Sequence, residues 1–218
     1  MKRLLKLIAF VFVLPILGLL AYGGYGYWDA VRESEKYIRK ADNLIANGQG
    51  SDDLGAKHIK QLILVEDPGF WEHSGIDLLT AGAGLTTITQ SLAKRLGFSK
   101  FEPGLGKIRQ TGFALGLESR LSKKQILALF LKTVEMGKGP NGWMTGFFAA
   151  SNKIYSKPPS ALTDDEFLKL VAVMISPAVY DLRADDKKLN ERVRRISKLL
   201  AGDCAPTGLR DVWLKGCS

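Results

Sequence analysis

Two short segments carry side chains whose types and spacing suit chemistry. The first runs from Val65 to Gly75 and reads V-E-D-P-G-F-W-E-H-S-G. Adjacent carboxylates, Glu66 and Asp67, follow an apolar run, and His73 stands seven residues beyond Glu66. A carboxyl at the edge of an apolar wall keeps its proton to higher pH than one in water, which suits proton transfer near neutrality. A solvated acidic turn would have the same composition. The second segment, from Gly84 to Arg95, reads G-L-T-T-I-T-Q-S-L-A-K-R. Thr86, Thr87, Thr89 and Gln90 at a glycine-led helix start can donate hydrogen bonds to an anion, aided by the helix dipole. Lys94 and Arg95 add positive charge. An ordinary capped helix fits that pattern too.

Composition bounds the scaffold that must hold these residues. A chain of 218 residues predicts one domain, and 46% hydrophobic content supplies a packed core and excludes wholesale disorder. Two cysteines are too few for a disulfide framework or an all-cysteine zinc site. The net charge of +9 calls for an anionic partner: nucleic acid, membrane phosphate or an acidic substrate.

Apolar periodicity predicts a mainly α fold. Helices are expected over residues 29–46, 56–65, 76–83, 87–96, 107–120 and 143–155. Ser122 with Gln125, and Thr163 with Glu166, read as capping boxes opening two more. Asp185 or Asp186 caps a basic helix that Gly202 ends. Its Lys187, Lys188, Arg192, Arg194, Arg195 and Lys198 read as a solvated face. Residues 96–106 form a loop with Phe98, Phe101 and Leu105 among glycine and proline. No stretch alternates as a strand would.

The N-terminus narrows the choice of partner. Lys2, Arg3 and Lys6 precede residues 7–28, which carry no charge. At a rise of about 1.5 Å per residue this stretch can cross a hydrocarbon layer of about 30 Å. Tyr22, Tyr25, Tyr27 and Trp28 form an aromatic belt at its far end, and the basic flank stays cytoplasmic. A cleaved signal peptide is the competing reading. Export removes nucleic acid as a partner and favours lipid headgroups or a lipid-linked phosphate. In an oxidising compartment Cys204 and Cys217 either pair or remain free thiols. The chain divides into a flank and anchor (1–28), a helical linker (29–55), a main domain (56–202) and a tail (203–218).

Together the two segments resemble the signature of glycosyltransferase family 51, the peptidoglycan glycosyltransferases of penicillin-binding proteins and monofunctional biosynthetic transglycosylases. The family's E-D-x-x-F-x-x-H-x-G matches Glu66, Asp67, Phe70, His73 and Gly75. Its G-x-S-T-I-T-Q-Q matches Gly84, Thr87, Ile88, Thr89 and Gln90, with Thr86 and Ser91 as departures. Ser122 to Leu127 resembles S-K-x-x-I-L. Gly142, Ala149, Ala150, Tyr155 and Lys157 resemble a further family segment. The R-K-x-x-E motif keeps only Lys107: Gly106 stands for its arginine and Gln110 for its glutamate. In I-L-E-x-Y-L-N, Ala128, Phe130 and Lys132 replace glutamate, tyrosine and asparagine.

The resemblance implies a lysozyme-like helical domain that polymerises lipid II into glycan strands on the outer side of the bacterial inner membrane. It implies Glu66 as the general base, with Asp67, Phe70, His73, Thr87, Thr89, Gln90, Lys94, Lys107 and Gln110 in substrate binding. Lys94 and Lys107 would hold the diphosphate, sometimes with a divalent cation such as Mg or Mn. Lipid II, nascent glycan chains, the membrane and other cell-wall synthesis proteins are the implied partners. His73 reads as a partner that stabilises its own motif rather than as a base. The departures imply an alternative, a relative that binds lipid II or glycan without catalysis. Lysozyme-type hydrolases also use a lone glutamate on a helical fold, but the first two motifs favour the synthetic family.

Overall fold

Helix α1 (Lys2–Arg32) opens the chain in the computed structural model, which describes residues 2–218, with the backbone alone for residues 2–9, 11 and 12. The basic flank of Lys2, Arg3 and Lys6, and the first residues of the uncharged stretch, fall outside the described side chains. Among the described residues no helix is long and apolar enough to cross a membrane. The helix expected over 29–46 is split at Glu33: its first turn belongs to α1, and α2 (Ser34–Ala46) follows. Ser34 Oγ donates to the Val31 carbonyl at 2.7 Å, a local bond that competes with helix propagation.

Helix α3 (Ala56–Glu66) ends at the candidate base. The helix expected over 76–83 is an irregular loop instead. Asp77 Oδ1 accepts the backbone N–H groups of Leu79 and Thr80, both at 2.9 Å, and this turn replaces the helical ladder. Helix α4 (Ile88–Gly97) starts at the Thr87 cap, and α5 (Leu105–Glu118) follows the predicted loop. Helix α6 (Lys123–Thr133) has its Ser122–Gln125 capping box and buries every residue from Ile126 to Leu131. Ala128 and Phe130 are therefore core residues.

A hairpin corrects the expectation of no strands and of helix from residue 143. Strands β1 (Glu135–Gly139) and β2 (Gly142–Thr145) pair antiparallel, with a bulge between Glu135 and Gly137. Gly137 and Gly142 sit at φ +78° and +107°, which an L side chain rarely adopts, and so break the helix. Helix α7 (Phe147–Tyr155) resumes after it. Helix α8 (Asp164–Val173) carries the Thr163–Glu166 capping box, and α9 (Lys187–Ala201) is capped by Asp186 and stopped by Gly202. The core gathers Leu92, Phe113, Leu117, Leu127, Phe147 and Phe167. Beyond α9, Cys204 and Cys217 form a disulfide.

Helices α1 and α5 meet backbone to backbone. A Cβ on Gly112 would lie 1.9 Å from the Gly23 carbonyl oxygen, and one on Gly116 2.5 Å from that of Tyr27. Arg109 of α5 pairs with Asp29 of α1 at 2.9 Å, and its guanidinium lies over the rings of Tyr25 and Phe98. The smallest side chain thus sets how closely α1 docks. Gly112→Ala is expected to cost about 2 kcal/mol by overpacking, read as a lowered Tm. Gly18→Ala, with nothing within 4 Å of the added carbon, serves as the neutral control.

Candidate active site

Asp67 is the first residue after α3 and is 0% exposed. A buried carboxylate must be met by donors. His73 Nε2 lies 2.9 and 3.0 Å from its two oxygens, and the backbone N–H of Ile88 donates to Oδ2 at 2.8 Å. His73 Nδ1 accepts from the Gly75 N–H at 2.9 Å, which fixes the Nε2–H tautomer facing Asp67. Thr87, the cap of α4, donates its hydroxyl to the Gly75 carbonyl at 2.8 Å. Both chemical segments are therefore tied at one buried knot.

A second tie runs beside it. Lys123 Nζ donates to the His73 carbonyl at 2.6 Å and to Glu118 Oε1 at 2.8 Å. It also sits 4.5 Å from the centre of the buried Phe70 ring. Thr89 donates its hydroxyl to the same Glu118 oxygen. Gln90 Nε2 donates to Thr111 Oγ1 at 3.2 Å, and its carbonyl accepts from Gln110 Nε2 at 2.6 Å. Gln110 is 1% exposed and joins α4 to α5.

Asp67, Phe70, His73, Thr87, Thr89, Gln90 and Gln110, expected in substrate binding, all have contacts inside the fold. Each is engaged by an internal partner, because each occupies a junction between elements. They position the site. Glu66, Lys94 and Lys107 are the predicted residues that face open space.

Glu66 lines a cleft of about 290 Å³ with Gly82, Gly84, Thr86, Arg192 and Val212. Burial pushes its carboxyl pKa up to about 7, opposed by the charges of Arg192 and Arg95 and aided by that of Asp67. Arg192 was expected on a solvated face but is 3% exposed, and its Nε and Nη1 have no partner among the described residues. Its signal lay in register: it falls with Leu189, Val193 and Ile196 on the buried stripe of α9. Arg95 donates to Ser91 and Thr133 and lies over the Phe130 ring, and burial lowers its pKa to about 10.

A cationic pair adjoins the cleft. Lys107 Nζ donates to Thr86 Oγ1 at 2.7 Å, and Lys94 Nζ lies 5.2 Å from the Phe101 ring centre. Burial and then the charge of Lys94 hold the Lys107 pKa below its usual value. An anion between the two would relieve both effects. Lys107 also edges an apolar groove of about 450 Å³ between α1 and α5, lined by Leu19, Leu20, Tyr27, Ile108 and Leu115.

Magnesium is held by carboxylates together with substrate phosphates. Gln110 offers a neutral amide whose donor is already bonded to the Gln90 carbonyl. Among the described residues no three His, Cys, Asp or Glu side chains converge as metal ligands.

Two stability effects follow. Asp67→Asn leaves His73 Nε2–H facing an amide and is expected to cost roughly 3 kcal/mol near neutral pH, seen as a lower Tm. Glu66→Gln acts oppositely. The folded chain holds a proton on Glu66 to about pH 7, whereas the unfolded value is 4.5. Stability from this group is full below the lower value and is lost as pH rises through the upper one. Glu66→Gln should raise Tm by a few degrees at about pH 8 and leave it unchanged near about pH 4.

The family model described as Transglycosylase matches residues 46–201. A biosynthetic peptidoglycan transglycosylase of Thiobacillus denitrificans is 30% identical over 162 residues, covering 67% of each chain. The protein of the same name from Nitrosomonas eutropha is 29% identical over 155 residues, 65% of this chain and 62% of its own length. Its counterpart in Alcanivorax borkumensis is 28% identical over 223 residues, 92% of this chain and 87% of its own. The chain belongs to the transglycosylase family.

Proposed function

We propose that the chain is a peptidoglycan glycosyltransferase that polymerises lipid II and releases undecaprenyl diphosphate. The observation that carries this reading is the Lys107–Thr86 hydrogen bond. Thr86 lines the cleft of Glu66, and Lys107 edges the apolar groove. One short path thus joins a base, a cationic pair and an apolar groove. That order matches a sugar, its diphosphate and its prenyl chain.

In the reaction, Glu66 takes the proton from the 4-hydroxyl of the acceptor's N-acetylglucosamine. The oxygen attacks the donor's anomeric carbon from the face opposite the diphosphate, so the configuration inverts. The bond to the diphosphate breaks and its electrons leave with the lipid diphosphate. Lys94 and Lys107 stabilise that charge in a partly desolvated setting, where a cation is worth more than in water. Gln110 positions Gln90 and carries no charge in the step. The uncharged stretch of α1 anchors the chain in the inner membrane, single-pass, with the domain on the outer side. Positive charge and the Phe98–Phe101 loop face the headgroups, and nascent glycan and other cell-wall synthesis proteins meet it there.

The test uses the purified full chain, fluorescent lipid II and gel separation of products. Polymer is expected from the wild type and none from Glu66→Gln. Bound but unpolymerised lipid II in the wild type would contradict the enzymatic reading. The base acts ionised, so kcat/KM should rise with pH through about 7. Arg192→Leu removes a cation that favours the ionised form and should move this limb to higher pH, with Arg192→Lys restoring part of the shift.

A further inference from the structure

The C-terminal tail lies on the active-site cleft. Its chain runs beside the loop that precedes α4: the Gly82 N–H donates to the Gly208 carbonyl at 3.0 Å, and the Gly84 N–H to that of Leu209 at 2.8 Å. The two glycines leave room for it. A Cβ on Gly82 would lie 2.8 Å from Pro206 Cγ, and one on Gly84 2.5 Å from Val212 Cγ1. Val212 then lines the cleft together with Glu66.

The tail is held from within and from α9. Asp211 accepts the backbone N–H groups of Thr207, Lys215 and Gly216. Arg195 donates to the Trp213 carbonyl at 3.3 Å. The Cys204–Cys217 disulfide closes the segment over a separation of 13 residues. A short loop closed in this way has few other conformations.

We infer that this disulfide-closed tail is the wall of the acceptor-sugar subsite and that Val212 is a specificity-determining contact. The inference rests on the glycosyltransferase reading. The cleft holds the base that serves the acceptor hydroxyl and contains no lysine for a diphosphate. Val65, Leu85, Ile175 and Val212 give it apolar walls, and Arg192 offers unpartnered donors. Apolar walls with one hydrogen-bonding cation suit an uncharged N-acetylated hexose, which has both apolar and oxygen-bearing faces. At about 290 Å³ the cleft lies at the floor of the roughly 300–1,000 Å³ range of small-molecule sites. It takes about one ring, so a side chain on its wall sets what fits.

The experiment uses the full chain in detergent with lipid II. Hydrogen exchange of peptides covering residues 82–86 and 206–213 should slow about fivefold on adding lipid II to the Glu66→Gln variant, which cannot turn over. Val212→Phe should raise KM for lipid II about tenfold with kcat less affected, and Val212→Ala should change KM in a milder way. The Cys204→Ser, Cys217→Ser double variant should raise KM while the domain still unfolds cooperatively. Unchanged exchange in the tail, or wild-type KM in both Val212 variants, overturns the inference. Polymer formation with a silent tail removes this inference alone. Tail protection without any polymer from the wild type removes the enzymatic reading and keeps the sugar subsite. Loss of folding in Val212→Phe leaves Val212→Ala and the exchange data to decide.

Discussion

The buried carboxylate of Asp67 is the constraint on which the site rests. A charge with no solvent exposure is costly unless donors surround it. Here the donors come from the following loop, through His73, and from the first turn of α4, through the Ile88 N–H. The positive end of α4 adds to their field. Satisfying Asp67 therefore forces the end of α3, the His73 turn and the start of α4 into one place. Glu66 precedes Asp67 and inherits its position from that knot. Lys94, six residues beyond Ile88 on the same helix α4, inherits its position as well.

Two adjacent carboxyls consequently live in opposite environments. Asp67 has donors on both oxygens, while Glu66 forms no side-chain hydrogen bond or ion pair among the described residues. Burial raises the Glu66 pKa, and Arg192 and Arg95 restrain the rise. The result is a group poised to gain and lose a proton near neutrality, which is how one fold separates acid–base work from structural charge. Arg192 is buried and Arg95 half-buried, and each has a nitrogen without a partner among the described residues, which costs the fold stability. Such sites are where a fold gives up stability for function.

Much of this was legible in the chain because it depends on local rules. The Ser122–Gln125 and Thr163–Glu166 boxes form as read, since a cap and its partner three residues on need no distant information. The Glu66–His73 and Thr87–Gln90 spacings likewise marked the two segments that meet. What escaped depends on distant partners. Gly84 read as the lead of a helix start and Gly82 fell within an expected helix, yet Pro206 and Val212 pack where their side chains would be. Arg192 read as surface charge, although its place beside Leu189 and Val193 marks the buried stripe of α9. The hairpin hid because strands of five and four residues rich in glycine show no alternation to detect. Gln110 also bridges α5 to α4, a contact that no local pattern marks.

A base at Glu66 must exchange its proton with solvent near neutral pH. Carbon-13 NMR of the protein labelled at glutamate carboxyls reads this directly, with Glu66→Gln identifying the resonance. The account predicts a midpoint for Glu66 near about 7. A midpoint at the ordinary glutamate value of about 4.3 would contradict it.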